Sequence, residues 1–282
     1  MNRIPFPIKK IITIKSLYSA FDVIYDKDYA FPGEQHDFWE LVFVVDGTLG
    51  VAEDERVYEL TKNQIIFHKP FAFHRLWNAG NTPLSLIIMS FEALGKSSNQ
   101  LSNGVFNLSP MDYHLLINTL DEAKACSFFP IDSADPCGSY TYSEEDSISI
   151  QCIAAHLELL FLHLLRQSTS NTAQNKSISA KNYKKIVRTM SEHISENLSV
   201  TDIAGLCDLS ISNMKKTFSM YSGIGIMSYF NKMKITKAIS LFKEGMSIVE
   251  VSNKLGFSNQ NYFSTVFKRE MGVSPMMYIK MM

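Results

Sequence analysis

The sequence predicts an α+β protein: an N-terminal β-barrel with a helical segment, then an all-α C-terminal domain holding two helix-turn-helix motifs. Three observations carry this prediction. Residues 199–278 contain one ordered pattern twice, and short apolar stretches separated by turn residues fill the region from Ile4 to about Phe91. Charge also divides the chain: residues 178–282 hold 14 Lys plus Arg against 7 Asp plus Glu, net +7, while the remainder holds 13 against 21, net −8, which together give −1. With 282 residues, 46% of them hydrophobic, the chain is expected to form about two domains with ordinary cores. The expected bounds are a barrel over 1–95, a helical segment over 96–167, a linker over 168–178 and the double-motif domain over 179–282.

In the first region Leu41 to Val45 reads as an apolar strand, Asp46-Gly47 as a hairpin signal and Leu49 to Ala52 as its continuation. Gln64 to Phe67 and Ser85 to Met89 read as further strands, and several short strands with regular turns suggest a small barrel. His36, Glu40 and His74 lie among Phe38, Trp39, Phe73 and Trp77, a mixture that suits a partly apolar small-molecule pocket. Strand alternation predicts that Phe38 and Glu40 share a face and Trp39 points away. Two amphipathic helices follow, Pro110 to about Cys126 and Asp146 to Arg166, joined by the loop Phe128 to Tyr142. The polar stretch Ser168 to Ser177 reads as the linker.

Neither an export signal nor a membrane span is expected, since the most apolar segment, Leu157 to Leu165, is short and contains Glu158 and His163. Cys126, Cys137, Cys152 and Cys207 have no metal or redox spacing and read as reduced thiols, so a cytoplasmic location is expected.

The repeat is explicable from helix rules. Ser199 and Ser247 are N-cap candidates with Asp202 and Glu250 at the capping-box position. Ser210 and Ser258 are expected to cap the second helix of each copy, whose inner faces carry Met214 and Phe218 or Phe263 and Phe267 at i and i+4. Gly223 and Gly272 supply the helix stops. The offset is 48 as far as Ser258 and 49 beyond it, so one residue is inserted at the second turn. Subtracting the core positions leaves Ser212, Lys215, Lys216 and Ser219 on one outer face, and Gln260, Asn261, Ser264, Thr265 and Lys268 on the other. Gln and Asn can pair with adenine edges, while Lys reaches guanine acceptors or phosphates. A basic domain on an acidic body is the expected footprint of a polyanion binder.

The C-terminal third resembles the AraC family of bacterial transcription regulators. The likeness rests on Asp202-Ile203-Ala204, Leu209-Ser210, Phe218, Gly223, Tyr229, Ala238 and Leu241, then Gly256-Phe257, Asn261-Tyr262-Phe263, Phe267-Lys268-Arg269, Gly272 and Ser274-Pro275. It implies a connecting helix from about Gly225 to Glu244 that holds two recognition helices for successive major grooves, about 34 Å apart. Matched positions make Ser212, Lys215, Lys216, Gln260, Asn261, Ser264, Thr265 and Lys268 the DNA contacts. Lys234 stands where the family usually has Arg, and Thr265 at a commonly basic position, so the target is expected to lean toward A and T.

Gly33, His36, Glu40 and Gly47, then Pro70, His74 and Asn78, resemble the two cupin motifs, which fits the sensor domain many AraC-type regulators carry. Cupin enzymes hold a metal with two histidines two apart in the first motif, whereas here His36 is followed by Phe38. His36, Phe38, Glu40, His74 and Trp77 are therefore read as contacts to an unidentified small-molecule effector, and no metal, cofactor or catalytic residue is assigned. The expected partners are double-stranded DNA, the effector, RNA polymerase and a second copy of the chain paired through the helical segment, whose helix Asp146 to Arg166 resembles the dimerisation helix of the family, with activation favoured by the resemblance. The alternatives are a metal-dependent cupin enzyme fused to a DNA-binding domain and a regulator controlled by a protein partner.

Overall fold

The computed structural model describes residues 7–95, 97–126, 144–167 and 177–282. The expected loop between the first two helices and nearly all of the expected linker lie outside the described residues. Five antiparallel strands form one sheet in the order β1 (Thr13–Tyr25), β7 (Leu84–Leu94), β2 (Trp39–Asp46), β5 (Gln64–His68) and β8 (Val105–Asn107). A three-stranded sheet has the order β4 (Arg56–Thr61), β3 (Thr48–Glu53), β6 (His74–Asn78). The expected hairpin at Asp46-Gly47 is not one. β2 pairs with β5 and β7, whereas β3 pairs with β4 and β6, so Gly47, at φ +92°, carries the chain from one sheet to the other. β8 extends the larger sheet beyond residue 95.

Alternation along the strands separates two apolar cores. Val42, Val44, Leu49, Val51, Ile66, Leu76, Leu86 and Ile88 fill the space between the sheets. The other face of the large sheet, with Trp39, Leu41, Phe43, Met89 and Phe91, is covered by α1 (Pro110–Ala125) and α2 (Glu144–Leu164) through Leu116, Leu120, Leu157 and Phe161. With both faces buried, β2 can read WELVFVVD, almost continuously apolar. A capping box of Ser109 and Asp112 starts α1, and the same Asp112 carboxylate lies 2.9 Å from Nδ1 of His163, pinning α1 to α2. By length and composition α2 could cross a membrane; here Ile153, Leu157, Leu160, Phe161 and Leu164 pack against the barrel, leaving Ile148 and Leu159 exposed.

In the C-terminal domain α3 (Ile178–Glu192), capped by the Ser177 hydroxyl, leads into α4 (Val200–Leu206) and α5 (Ile211–Ser222). The long α6 (Ile226–Lys243) joins these to α7 (Ile248–Lys254), α8 (Gln260–Met271) and α9 (Pro275–Met281). Both predicted capping boxes form, with the Ser199 and Ser247 amides each 2.8 Å from the acid three residues on. The second turn corrects one expectation: Asn259, not Ser258, caps α8, its Oδ1 accepting from the Tyr262 amide at 2.8 Å. The inserted residue thus shifts the cap by one position, and an amide oxygen replaces a hydroxyl.

The first unit packs Tyr183, Ile203, Met214 and Phe218 against Tyr229 and Phe230 of α6; the second packs Val251, Phe263 and Phe267 against Ile235 and Phe242. α6 therefore belongs to both cores, and burial of each such Phe stabilises by about 1.5–3 kcal/mol.

Candidate functional site

On the outer face of α5, Ser212, Lys215 and Lys216 are exposed, and on α8, Gln260, Asn261, Thr265 and Lys268 are exposed with Ser264 half-buried. Met214, Phe218, Phe263 and Phe267 beneath them are buried, so the polar stripes sit on well-fixed helices. The Thr265 hydroxyl donates to the Asn261 carbonyl at 3.0 Å, within its own helix. Tyr262 and Asn213, which are not among the expected DNA contacts, are exposed on the same two helices.

Lys234 is placed quite differently from the DNA-facing lysines. Its side chain is buried, and Nζ donates to the carbonyls of Glu196 and Leu255 at 2.7 Å each, above the rings of Phe230 and Phe257. Desolvation lowers it to about 8, so it stays charged at neutral pH. Its departure from the family's Arg thus concerns the junction between the two units and not base reading.

In the barrel the structure brings His36, Phe38, Glu40 and His74 together at one end of the space between the sheets. Glu40 points inward and Trp39 outward, as alternation requires. Nε2 of His74 lies 3.3 Å from Glu40 and 3.7 Å from Glu34, and Nε2 of His36 lies 3.9 Å from Glu40. Phe38 stacks on His36 with centroids 3.9 Å apart. Trp77 does not join them. Three positions after His74 on β6, it has the opposite parity, and its ring lies against the backbone of Gly50 and near Tyr221 of α5.

Three members of the cluster escaped the sequence reading. Glu34 shares the period of two with His36, and it pairs backbone to backbone with His74. His68 stacks on His74 at 4.1 Å, and Glu53 lies 3.6 Å from His68. Burial alone would drive His74 down, but the carboxylates of Glu34 and Glu40 outweigh it and lift it to about 10. Burial, reinforced by the charge on His74, keeps His36 low and His68 well below the usual histidine range. Burial raises Glu53 to about 7.

This end of the barrel also meets the helical domain. Gln35 donates to Thr236 of α6 and, at 2.7 Å, to the Phe71 carbonyl. Arg75 donates to the carbonyls of Phe31 and Met220, and the Tyr229 hydroxyl donates to the Asp54 carbonyl at 3.3 Å. Phe73 meets Tyr229 edge-on at 5.0 Å. Between the domains lies a cleft of about 630 Å³, bordered by Phe71, Phe73, Arg188, Lys232, Met233 and Lys237.

A barrel seated on two linked helix-turn-helix units defines a DNA-binding regulator with an attached sensor-type domain. Comparison with known proteins agrees: a helix-turn-helix domain model matches residues 203–281 and a cupin domain model matches residues 21–90. The HTH-type transcriptional activator RhaS of Enterobacter sp. (strain 638) is 22% identical over 255 residues, covering 87% of this chain and 86% of that protein. RhaS of Salmonella schwarzengrund is 23% identical with the same coverage. Among solved structures, ToxT from Vibrio cholerae aligns over 97% of this chain and 98% of its own at 18% identity and a TM-score of 0.38. The C-terminal domain of AraT from Geobacillus stearothermophilus covers 35% of this chain at 27% identity and a TM-score of 0.33. The chain thus carries a C-terminal helix-turn-helix domain and an N-terminal cupin domain and is similar over most of its length to HTH-type transcriptional activators.

Proposed function

We propose that the protein is a ligand-responsive transcriptional activator that reads successive major grooves with α5 and α8, Ser212, Lys215 and Lys216 contacting one half-site and Gln260, Asn261, Ser264, Thr265 and Lys268 the other. The carrying observation is that one helix, α6, is a core element of both units, so their outer faces keep a fixed spacing. Because those faces differ in residue type, one chain reads an asymmetric site of about two turns, not a palindrome. Lysines supply phosphate affinity and the Gln-Asn pair supplies adenine recognition.

The barrel serves as the sensor and not as a catalyst, with its effector meeting His36, Phe38, Glu40 and His74. Effector binding shifts the equilibrium between arrangements of the two domains by its differential affinity for them. The Gln35, Arg75 and Tyr229 contacts are the physical connection through which it acts. The remaining expectations, domain bounds at 167 and 178, pairing of two chains through α2, engagement of RNA polymerase and a cytoplasmic location, complete this reading, with the barrel bound moved from 95 to take in β8. RhaS relatives carry the name of activators, which favours activation here. Selection of binding sites from random DNA with the purified full chain tests the proposal: an asymmetric consensus of two half-sites one turn apart is expected, and failure to enrich any sequence overturns it.

A further inference from the structure

The cupin fold implies a metal in many of its members, and the residues of this chain can be tested for fit. One ligand atom from each of Glu34, His36, Glu40 and His74 lies within 4.8 Å of the others. Both imidazoles are oriented as metal-bound histidines are. Nδ1 of His36 is 2.9 Å from the Phe38 carbonyl and Nδ1 of His74 is 3.1 Å from the Ala72 carbonyl, so each Nδ1 proton has a backbone acceptor and each Nε2 faces the carboxylates. Nε2 of His36 is buried with no hydrogen-bond partner, which native interiors rarely tolerate, and Nε2 of His74 meets Glu34 and Glu40 only as an ion pair at 3.7 and 3.3 Å. An ion at the centre would satisfy both at about 2.0–2.1 Å.

We infer that Glu34, His36, Glu40 and His74 bind a first-row divalent transition ion, that Glu34 replaces the histidine lost to Phe38, and that the ion fixes the segment gripping α6. This rests on the reading of the barrel as the sensor and names its effector class. Two imidazole nitrogens favour such an ion over Mg²⁺ or Ca²⁺, which prefer all-oxygen sites, and two carboxylates balance its charge. Glu34, whose side chain is 45% exposed, gives the ion an entrance, while Glu40 and His74 are enclosed.

The coupling follows from chain connectivity. Ligands 34 and 36 flank Gln35, which reaches Thr236 of α6. The Glu34 amide and carbonyl are bonded to His74 at 2.9 and 3.0 Å, and the Phe71 amide donates to the His36 carbonyl at 2.7 Å. Drawing the four side chains onto one centre fixes the position of Gln35 and so of its contact with α6.

The test uses the full chain, stripped with chelator, then titrated with Co²⁺ by visible absorption and analysed for metal after equilibration with Zn²⁺, Co²⁺, Mn²⁺ or Mg²⁺. One Co²⁺ or Zn²⁺ per chain and no Mg²⁺ are expected. Glu34→Gln and His36→Gln should each weaken Co²⁺ binding by about tenfold or more, while Asp121→Asn, exposed on α1 across the large sheet, leaves it unchanged. Absence of stoichiometric ion, or a Glu34→Gln variant that binds as tightly as wild type, overturns the site. The second readout is affinity for DNA selected by the stripped chain: the ion should change it in wild type and not in Gln35→Ala, and an unchanged wild type overturns the coupling. A chain that selects DNA but takes no ion loses only this inference, whereas one that selects no DNA fails the regulator reading.

Discussion

Replacing Lys234 by Met keeps the length of the side chain and removes its charge at the junction of the two helix-turn-helix units. The ammonium, 4% exposed with its residue, ties the loop before α4 at Glu196 to the end of α7 at Leu255. Each charged hydrogen bond contributes about 1.5–3 kcal/mol net, and stranding a buried carbonyl costs about 1–3 kcal/mol. Relief of lysine desolvation offsets part of the loss. A net destabilisation of the helical domain by about 3 kcal/mol is expected, roughly a hundredfold in its folding equilibrium. Urea unfolding followed by far-UV circular dichroism reports this domain. Fluorescence of Trp39, buried under α1 and α2 and followed in a Trp77→Phe background because Trp77 touches Tyr221 of α5, reports the barrel and serves as the reference. Lys234→Arg keeps the donor and should recover most of the stability, since guanidinium reaches the same carbonyls. A Met variant whose helical transition stays at the wild-type urea concentration, or an Arg variant that falls equally, would refute this account of the junction.

Lys215→Ala and Lys216→Ala should weaken DNA binding alike on all sequences and each lower the salt dependence by about one unit of slope, measured by titration at several salt concentrations. Asn261→Ala should cost about 1–3 kcal/mol on the selected site and relax base preference within one half-site only, which repeated site selection checks. Gly223 and Gly272 both end recognition helices at positive φ, +68° and +75°, where an added side chain costs about 1–2 kcal/mol. A Cβ on Gly223 would also come within 2.5 Å of the Pro32 carbonyl of the barrel, while one on Gly272 meets nothing within 4 Å. Gly223→Ala should therefore lower the melting temperature more than Gly272→Ala, and equal shifts would count against the domain contact.

The helical domain was legible in the sequence because its determinants are local: a cap, an acid three residues later, two apolar positions four apart. His36, Glu40 and His74 were legible because two cupin-like motifs place them. Glu34, His68 and Glu53 were not, since they meet only after two sheets close face to face, and nothing in the spacing of residues 34, 53 and 68 specifies that closure. Trp77 was misplaced because composition near a motif was followed where strand parity decides direction. The Asn259 cap was hidden by the tidier Leu209-Ser210 and Phe257-Ser258 alignment. Lys234 resembled a base-reading position by family likeness alone, and only the packing of Phe230 and Phe257 shows it facing inward.

The shared helix has a mechanical corollary. With 18 residues, α6 is about 27 Å long, and the barrel touches the first unit at Gly223 and α6 itself at Tyr229 and Thr236. The barrel's Phe71 also lies under Lys243 and packs on the core of the second unit, so the barrel grips the shared helix along most of its length. A tilt of about 5° of that helix would move one end against the other by about 2 Å. A sensor that holds the common helix can in this way reorient both readers together and change the spacing they present to the two half-sites.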